Sequence, residues 1–347
     1  MTVTDSLQVI PGPGESELRV ILLDVGHGNC AVLQDGRSLA IVDVPRTQVV
    51  RQCLALQPNP NVRRLILSHA DQDHIGGALT LLAHGEIPIR ELWLNPNSCQ
   101  RSKTYLDLLT VASDRHRSGE LNVHTNLNVG AQESLSFERV GIEVLYPDIL
   151  SAGIGPVGSV HPHGPITGNG MSAVLRVSLD GMPTVLLPGD MDGRALDRVL
   201  RSGLDISAPV LVFPHHGGSP KASNDQKFVA ELCDAAQPEL VVFSIGRRRF
   251  TNPSEKIVRQ IRQNLPEVHI ACTQLSRHCH SIESPEPFDH IRIDLPAAGH
   301  QINSCCAESI LIEKSTHGLT YYPGREKYNQ FIHNLESPLC RTPAAIR

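Results

Sequence analysis

Residues 65–77 read Leu65-Ile66-Leu67-Ser68-His69-Ala70-Asp71-Gln72-Asp73-His74-Ile75-Gly76-Gly77. The apolar run Val62–Leu67 that leads in reads as a buried strand, and Ile75–Ala83 beyond it reads as a helix. Two histidines and two aspartates stand between them. A strand end delivers side chains into a cleft rather than into a core. The helix start that follows supplies free N–H groups and the positive end of a dipole. A single aspartate ahead of a helix is ordinarily a cap. Two imidazoles and two carboxylates packed this densely repel one another or stay poorly solvated unless a cation sits among them.

Working outward, Leu18–Val25, Cys30–Leu33 and Leu39–Val44 read as short strands, separated by turns at Gly26, Gly28 and the pair Asp35-Gly36. A helix is expected near Arg46–Leu56, a strand at Glu91–Leu94 and a helix over Ser102–Arg117. Ser151–Gly170 is rich in Gly, Pro and His, has no periodicity and reads as one long loop. Strands Ser172–Leu179 and Thr184–Leu187 flank the turn Asp180-Gly181, and the second runs into Pro188-Gly189-Asp190. Helix Arg194–Arg201, strand Pro209–Phe213, the loop His215-His216-Gly217-Gly218, helix Gln226–Ala235, strand Leu240–Ile245 and helix Ser254–Gln263 follow. Hairpins first and β-loop-α alternation later predict a layered α/β protein with mixed sheets. Past residue 265 the pattern changes. One domain over 1–265 is therefore expected, with a C-terminal extension over 266–347 that carries strands at His290–Leu295 and Ser309–Glu313.

The chain has 347 residues, room for one large domain plus an extension. With 4% aromatic residues, Val, Leu and Ile must build the core. A net charge of −5 offers no global attraction to nucleic acid or anionic lipid. No segment approaches the roughly 18–20 apolar residues needed to span a bilayer, and the first residues lack a signal-peptide pattern. A cytoplasmic, reducing location is the expectation. Nine cysteines, an odd set, do not read as a disulfide scaffold. Seventeen histidines justify a search for metal ligands.

The segment His69-Ala-Asp71-Gln-Asp73-His74 resembles the His-x-[His/Asp]-x-Asp-His motif of the metallo-β-lactamase superfamily. Leu23-Asp24-Val25-Gly26-His27-Gly28-Asn29 is similar to the Asp-Val-Gly-Gln-Gly-Asp signature of the hydrolase domain of ComEC-type competence proteins. Ile41-Val42-Asp43, Asn169-Gly-Met-Ser172, Leu186-Leu-Pro-Gly189-Asp190 and Phe213-Pro-His215-His216-Gly217 resemble further motifs of that branch, in the same order. The resemblance implies a four-layer αββα sandwich and a metal-dependent hydrolase using water activated by two divalent ions. On this reading His69 and Asp71 hold one ion, Asp73 and His74 the other, and Asp190 bridges them. His215 completes the second site, with His216 its competitor or a proton-transfer group. Asp43 orients a ligand histidine. Asp73, Asp190 and His216 are the expected catalytic residues.

Some positions depart from the pattern. Asp71 stands where many members have His, and Asn169 stands where a later His is usual, with His161 and His163 as alternatives in the preceding loop. Oxygen-rich ligation brings manganese level with zinc. Asn29 and Asn252 also replace the branch's usual Asp and His. His27, Asn169, Lys221, Arg247 and Asn252 form the expected substrate-binding set; Lys221 and the run Arg247-Arg248-Arg249 suit phosphate. Phosphodiesters, as nucleic acid or nucleotide, are the leading substrate class, since ComEC-like domains are associated with nucleic-acid hydrolysis. An ester, lactone or thioester hydrolase on the same scaffold and a non-catalytic regulatory protein are the alternatives. No membrane partner is expected, and partner proteins remain open. In the extension, Cys272 and Cys279 with Cys305 or Cys306 are candidates for a third, structural zinc.

Overall fold

The computed structural model describes residues 17–57, 59–95, 102–156, 166–220, 224–248, 250–281, 290–291, 294–316 and 318–341. His161, His163, Lys221 and Arg249 lie outside the described residues. The first half runs β1 (Leu18–Leu22), β2 (Ala31–Asp35), β3 (Ser38–Val42), α1 (Val49–Ala55), β4 (Asn61–Leu67), α2 (Gln72–Ile75), α3 (Ala78–His84), β5 (Ile89–Leu94), α4 (Lys103–Arg117), β6 (Asn122–His124), α5 (Gln132–Leu135), β7 (Val140–Tyr146) and α6 (Ile149–Ile154). The second half runs β8 (Val174–Leu179), β9 (Met182–Leu187), α7 (Gly193–Arg201), β10 (Val210–Val212), α8 (Asp225–Ala236), β11 (Leu240–Phe243), α9 (Glu255–Asn264), β12 (His269–Cys272), β13 (Ile310–Ser315), β14 (Gly318–Tyr322) and α10 (Arg325–His333).

The strands form two mixed sheets, in the orders β14-β13-β1-β2-β3-β4-β5-β6 and β12-β11-β10-β9-β8-β7. Strand alternation builds the layers. Leu18, Val20 and Leu22 of β1 and Ile66 of β4 face a core shared with the second sheet. Ile21, Leu65 and Leu67 point the other way, onto Val49 and Val50 of α1, Leu81 and Leu82 of α3 and Leu108 of α4. The second sheet is covered in turn by Leu196 of α7, Phe228 of α8, Ile257 of α9 and Tyr328 of α10. The result is helix, sheet, sheet, helix.

β1 and β3 run the same way because each is antiparallel to β2, and β4 is parallel to β3. In the second sheet β9, β10 and β11 are mutually parallel. Their carboxyl ends gather at one end of the sandwich, the usual location of ligands in α/β sheets.

The helix expected over Ile75–Ala83 is broken into α2 and α3 at Gly76-Gly77. The Gly77 N–H leaves the helix ladder for the Val44 carbonyl at 2.8 Å, and a side chain there would stand 2.3 Å from the Pro45 carbonyl oxygen, so close packing at the break requires glycine. The expected strand at His290–Leu295 does not form over its described residues. His290 instead donates Nε2–H to the Cys306 carbonyl (2.7 Å) and stacks on Phe331. Part of the loop expected over 151–170 is the helix α6 and a 3-10 turn at Asn169–Met171. The boundary expected at 265/266 falls between α9 and β12. Beyond it the chain enters both sheets, β12 beside β11 and β13 beside β1. Among the described residues no helix is long and apolar enough to cross a membrane.

Candidate metal centre

Six turns meet at the shared end of the sheets. They follow β1 (Asp24 to Gly28), β3 (Asp43), β4 (Ser68 to His74), β9 (Asp190), β10 (His215 and His216) and β11 (Ser244). Each contributes polar groups that would be costly to bury alone.

Asp43 organises one side. One carboxylate oxygen accepts the Ser68 N–H at 2.7 Å; the other accepts the Ser68 hydroxyl at 2.7 Å and His74 Nδ1–H at 2.6 Å. The Ser68 hydroxyl has spent its only proton on Asp43, so it accepts from His69 Nδ1–H at 3.1 Å. Across the site His216 donates Nδ1–H to the Ser244 carbonyl at 2.9 Å. Three imidazoles are thereby anchored through Nδ1, with Nε2 turned inward. The Asp190 carboxylate lies among them, 3.3 Å from His74 Nε2, 3.9 Å from His69 Nε2 and 3.9 Å from His216 Nε2. Nε2 of His69, His74 and His216 and Oδ1 of Asp190 are buried and make no hydrogen bond among the described residues. Converging Nε2 atoms beside a carboxylate, with every opposite ring nitrogen already anchored, are the donor set a divalent cation requires.

His215 brings Nδ1 to 3.3 Å from Asp190 Oδ2, and Asn169 donates to the same oxygen at 3.4 Å. Asp71 is at the N-cap of α2, yet its side chain caps nothing and stands 3.8 Å from His69 Nε2. Asp73 turns to the opposite flank, 3.3 Å from His27 Nε2 and 3.6 Å from His216 Nε2. Two groups of donors result, one of His69, His74 and Asp190 and one of His27, Asp73 and His216. This corrects the expected pairing of Asp73 with His74. Neighbours on a helix point about 100° apart, so the two side chains face different positions.

Charge follows geometry. Burial alone would raise the Asp190 carboxyl, but the imidazoles of His74, His216 and His69 hold it well below the usual range. Burial also opposes ionisation of Asp73, but the neighbouring imidazoles of His216, His27 and His74 hold its carboxyl well below the usual range. Burial and the neighbouring His74 lower His69. Burial would lower His74 too, but Asp43 and Asp190 raise it well above the normal value.

The loop after β10 is shaped by backbone strain. His215 and His216 both have φ 54°, and Gly217 has φ 79°. Consecutive left-handed non-glycine residues cost about 1–2 kcal/mol each and persist where the surroundings over-determine them. Gly28 has a plainer role: a side chain there would meet the Asp73 carbonyl at 2.4 Å. Gly28 therefore lets the turn that carries His27 lie against the start of α2.

Other expected site residues separate. His27, read as a substrate contact, packs between His216 and Phe250 and joins the second donor group. Asn252 lies beside Gly218, at the edge of the His215-His216 loop. Arg247, expected at the substrate site, is buried, and its guanidinium donates to the carbonyls of Leu275, His280 and Ser281 at 2.9, 2.9 and 3.2 Å. Of the two alternatives for a structural zinc, Cys272 and Cys279 with Cys305 or with Cys306, the structure gathers the second and separates Cys305. Cys272, Cys279 and Cys306 lie in the core with Tyr328, whose hydroxyl is 3.1 Å from Cys306 Sγ. Cys305 belongs to a different cluster, with His300 and Glu308. Adjacent residues on an extended segment face opposite sides, which parts Cys305 from Cys306.

Ser68, Asn95 and Ser244 were not singled out from the sequence. Asn95 donates to the carbonyls of Ser68 (2.7 Å) and Met171, tying the His69 turn to the Asn169 turn. All three stand directly after a strand, at the same kind of position as the acidic and imidazole groups, and that placement was the available signal.

This fold and site define a member of the metallo-β-lactamase superfamily. Residues 23–206, more than half of the chain, match the description "Metallo-beta-lactamase superfamily", and the chain belongs to that family. It is 27% identical over 201 residues to ComE operon protein 3 of Bacillus subtilis (strain 168), covering 58% of this chain and 22% of that one. It is 24% identical over 254 residues to the competence protein ComA of Neisseria gonorrhoeae, covering 72% of this chain and 30% of that one. The chain thus spans less than a third of either curated relative. Among solved structures, the metallo-β-lactamase fold protein YhfI of Bacillus subtilis is similar at 11% identity and a TM-score of 0.45, with 71% of this chain and 93% of that one covered.

Proposed function

We propose that this protein is a two-metal hydrolase acting on phosphodiesters. The observation that carries the reading is the set of buried, inward-turned Nε2 atoms around Asp190 that make no hydrogen bond among the described residues. One divalent ion would be held by His69, His74 and Asp190 with Asp71 and His215 beside them, the other by Asp73, His216 and His27, with Asp190 between. Zinc and manganese both fit this nitrogen-and-oxygen set. Bound there, such ions acidify a water molecule and offset charge on the group under attack.

The chain's own residues do the rest. Asp43, Ser68 and the Ser244 carbonyl hold the imidazoles in one orientation, so no reorganisation is needed when substrate arrives. Asn169 and Asn252 present amide groups at the rim, donors suited to a phosphoryl oxygen. Beside Asn252 lies a depression whose wall mixes charges: Glu255, Lys256, Arg259 and His278 line it, with Lys256 paired to Asp225 and His278 near Glu255.

The test is a titration of metal-free protein with Mn²⁺ and Zn²⁺, followed by assay of a bis-aryl phosphodiester, DNA, RNA and a lactone. Two ions per chain, diester turnover and its loss in a folded Asp190→Asn variant are expected. Full metal loading without turnover would favour a regulatory protein. Turnover of the lactone alone would move the substrate class to carboxyl esters.

A further inference from the structure

The loop leading into β13 carries a separate set of metal-ligating side chains. His300, Cys305 and Glu308 place one donor atom each within 4.8 Å of one another. Glu308 is 1% exposed, and its Oε2 lies 2.6 Å from His300 Nε2. Cys305 is 4% exposed, and its thiol makes no hydrogen bond among the described residues. The His300 imidazole is partly exposed, which gives an ion a way in from solvent.

Asp24 closes the far side. Its carboxylate accepts from Gly299 N–H at 2.8 Å, Gly26 N–H at 3.0 Å and Gln274 Nε2 at 2.9 Å. A side chain at Gly299 would meet Cys305 Sγ at 2.8 Å and Asp24 Oδ2 at 2.9 Å. The glycine lets the thiol and that carboxylate pack against the same stretch of backbone.

We propose that His300, Cys305 and Glu308 bind a divalent cation of the zinc type, separate from the centre around Asp190. One sulfur, one nitrogen and one carboxylate oxygen are ligands that zinc accepts. A thiolate and a carboxylate together neutralise its charge in a buried setting. Without an ion, burial and the nearby carboxylates of Asp24 and Glu308 keep the thiol protonated and inert. The cation would fasten the loop to the turn after β1, whose Asp24 is three residues from His27.

Cobalt tests this on the full-length protein. The donors of the Asp190 centre are nitrogen and oxygen, so a thiolate-to-cobalt absorption in the near ultraviolet reports a sulfur ligand elsewhere. The band is expected on adding Co²⁺ to metal-free protein, is expected to vanish in Cys305→Ser, and is expected to persist in Cys306→Ser. No band in the wild type, a band surviving in Cys305→Ser, or one lost equally in Cys306→Ser would each overturn the proposal. If Cys305→Ser does not fold, His300→Ala decides: the Co²⁺ affinity read from the band should fall roughly tenfold or more. An unchanged affinity there means that His300⁺ and Glu308⁻ are only an ion pair beside a bystander thiol.

Discussion

Asp43 is the residue on which the geometry of the centre most depends. It touches no inward-facing donor atom, yet it receives three hydrogen bonds that orient His74 and, through Ser68, His69. Asp43→Ala should lower Zn²⁺ or Mn²⁺ affinity about 10–100-fold, as loss of outer-sphere partners of metal-bound histidines typically does. Calorimetric titration of the variant checks this, and wild-type affinity would refute the role. Arg247 makes the opposite point. Its guanidinium holds the carbonyls of the segment after β12. Arg247→Ala should therefore cost about 2–4 kcal/mol of stability in urea unfolding while leaving KM for a phosphodiester unchanged. A raised KM with unaltered stability would return Arg247 to the substrate site.

At the scale of elements, the turn after β10 aims two histidines at one carboxylate through three successive left-handed residues. A side chain at Gly217 would meet Phe243 Cδ1 and Pro253 Cβ at 2.6 Å, at a φ of +79°. Strain and overpacking together should make Gly217→Ala about 2–4 kcal/mol less stable, with metal affinity reduced because His216 loses its aim. Denaturant unfolding followed by metal titration measures both. Much of this layer was legible in the sequence. The apolar run into His69 and the Pro-His-His-Gly-Gly turn marked strand ends, and family resemblance placed Asp190 with them. The Gly76-Gly77 break was not legible, because the contact that demands it, Pro45, lies more than thirty residues upstream.

At the scale of the molecule, the residues beyond 265 complete the sandwich. β12 adds to one sheet, β13 and β14 to the other, and Tyr328, Phe331 and Ile332 of α10 enter the main core. A chain ending at residue 265 should lack a cooperative thermal transition and bind a hydrophobic dye, because two sheet edges and a large apolar face lose their cover. A sharp, reversible melt of that fragment would show instead that 1–265 is a self-sufficient domain.

The sequence by itself determined a layered α/β protein with mixed sheets, through apolar runs set between turn residues, and the concentration of ligand-type residues at strand ends; the four-layer sandwich was implied by the family resemblance. The first two are local properties, confined to single runs and turns. Tertiary structure alone decided which imidazole faces which carboxylate, that His27 belongs to the centre, that Arg247 is a backbone clamp and that Cys305 keeps company with His300. Those facts depend on side-chain directions set by left-handed backbone angles and on partners far apart in the chain, such as Asp24 and Gly299, 275 residues apart. No periodicity along the chain records them.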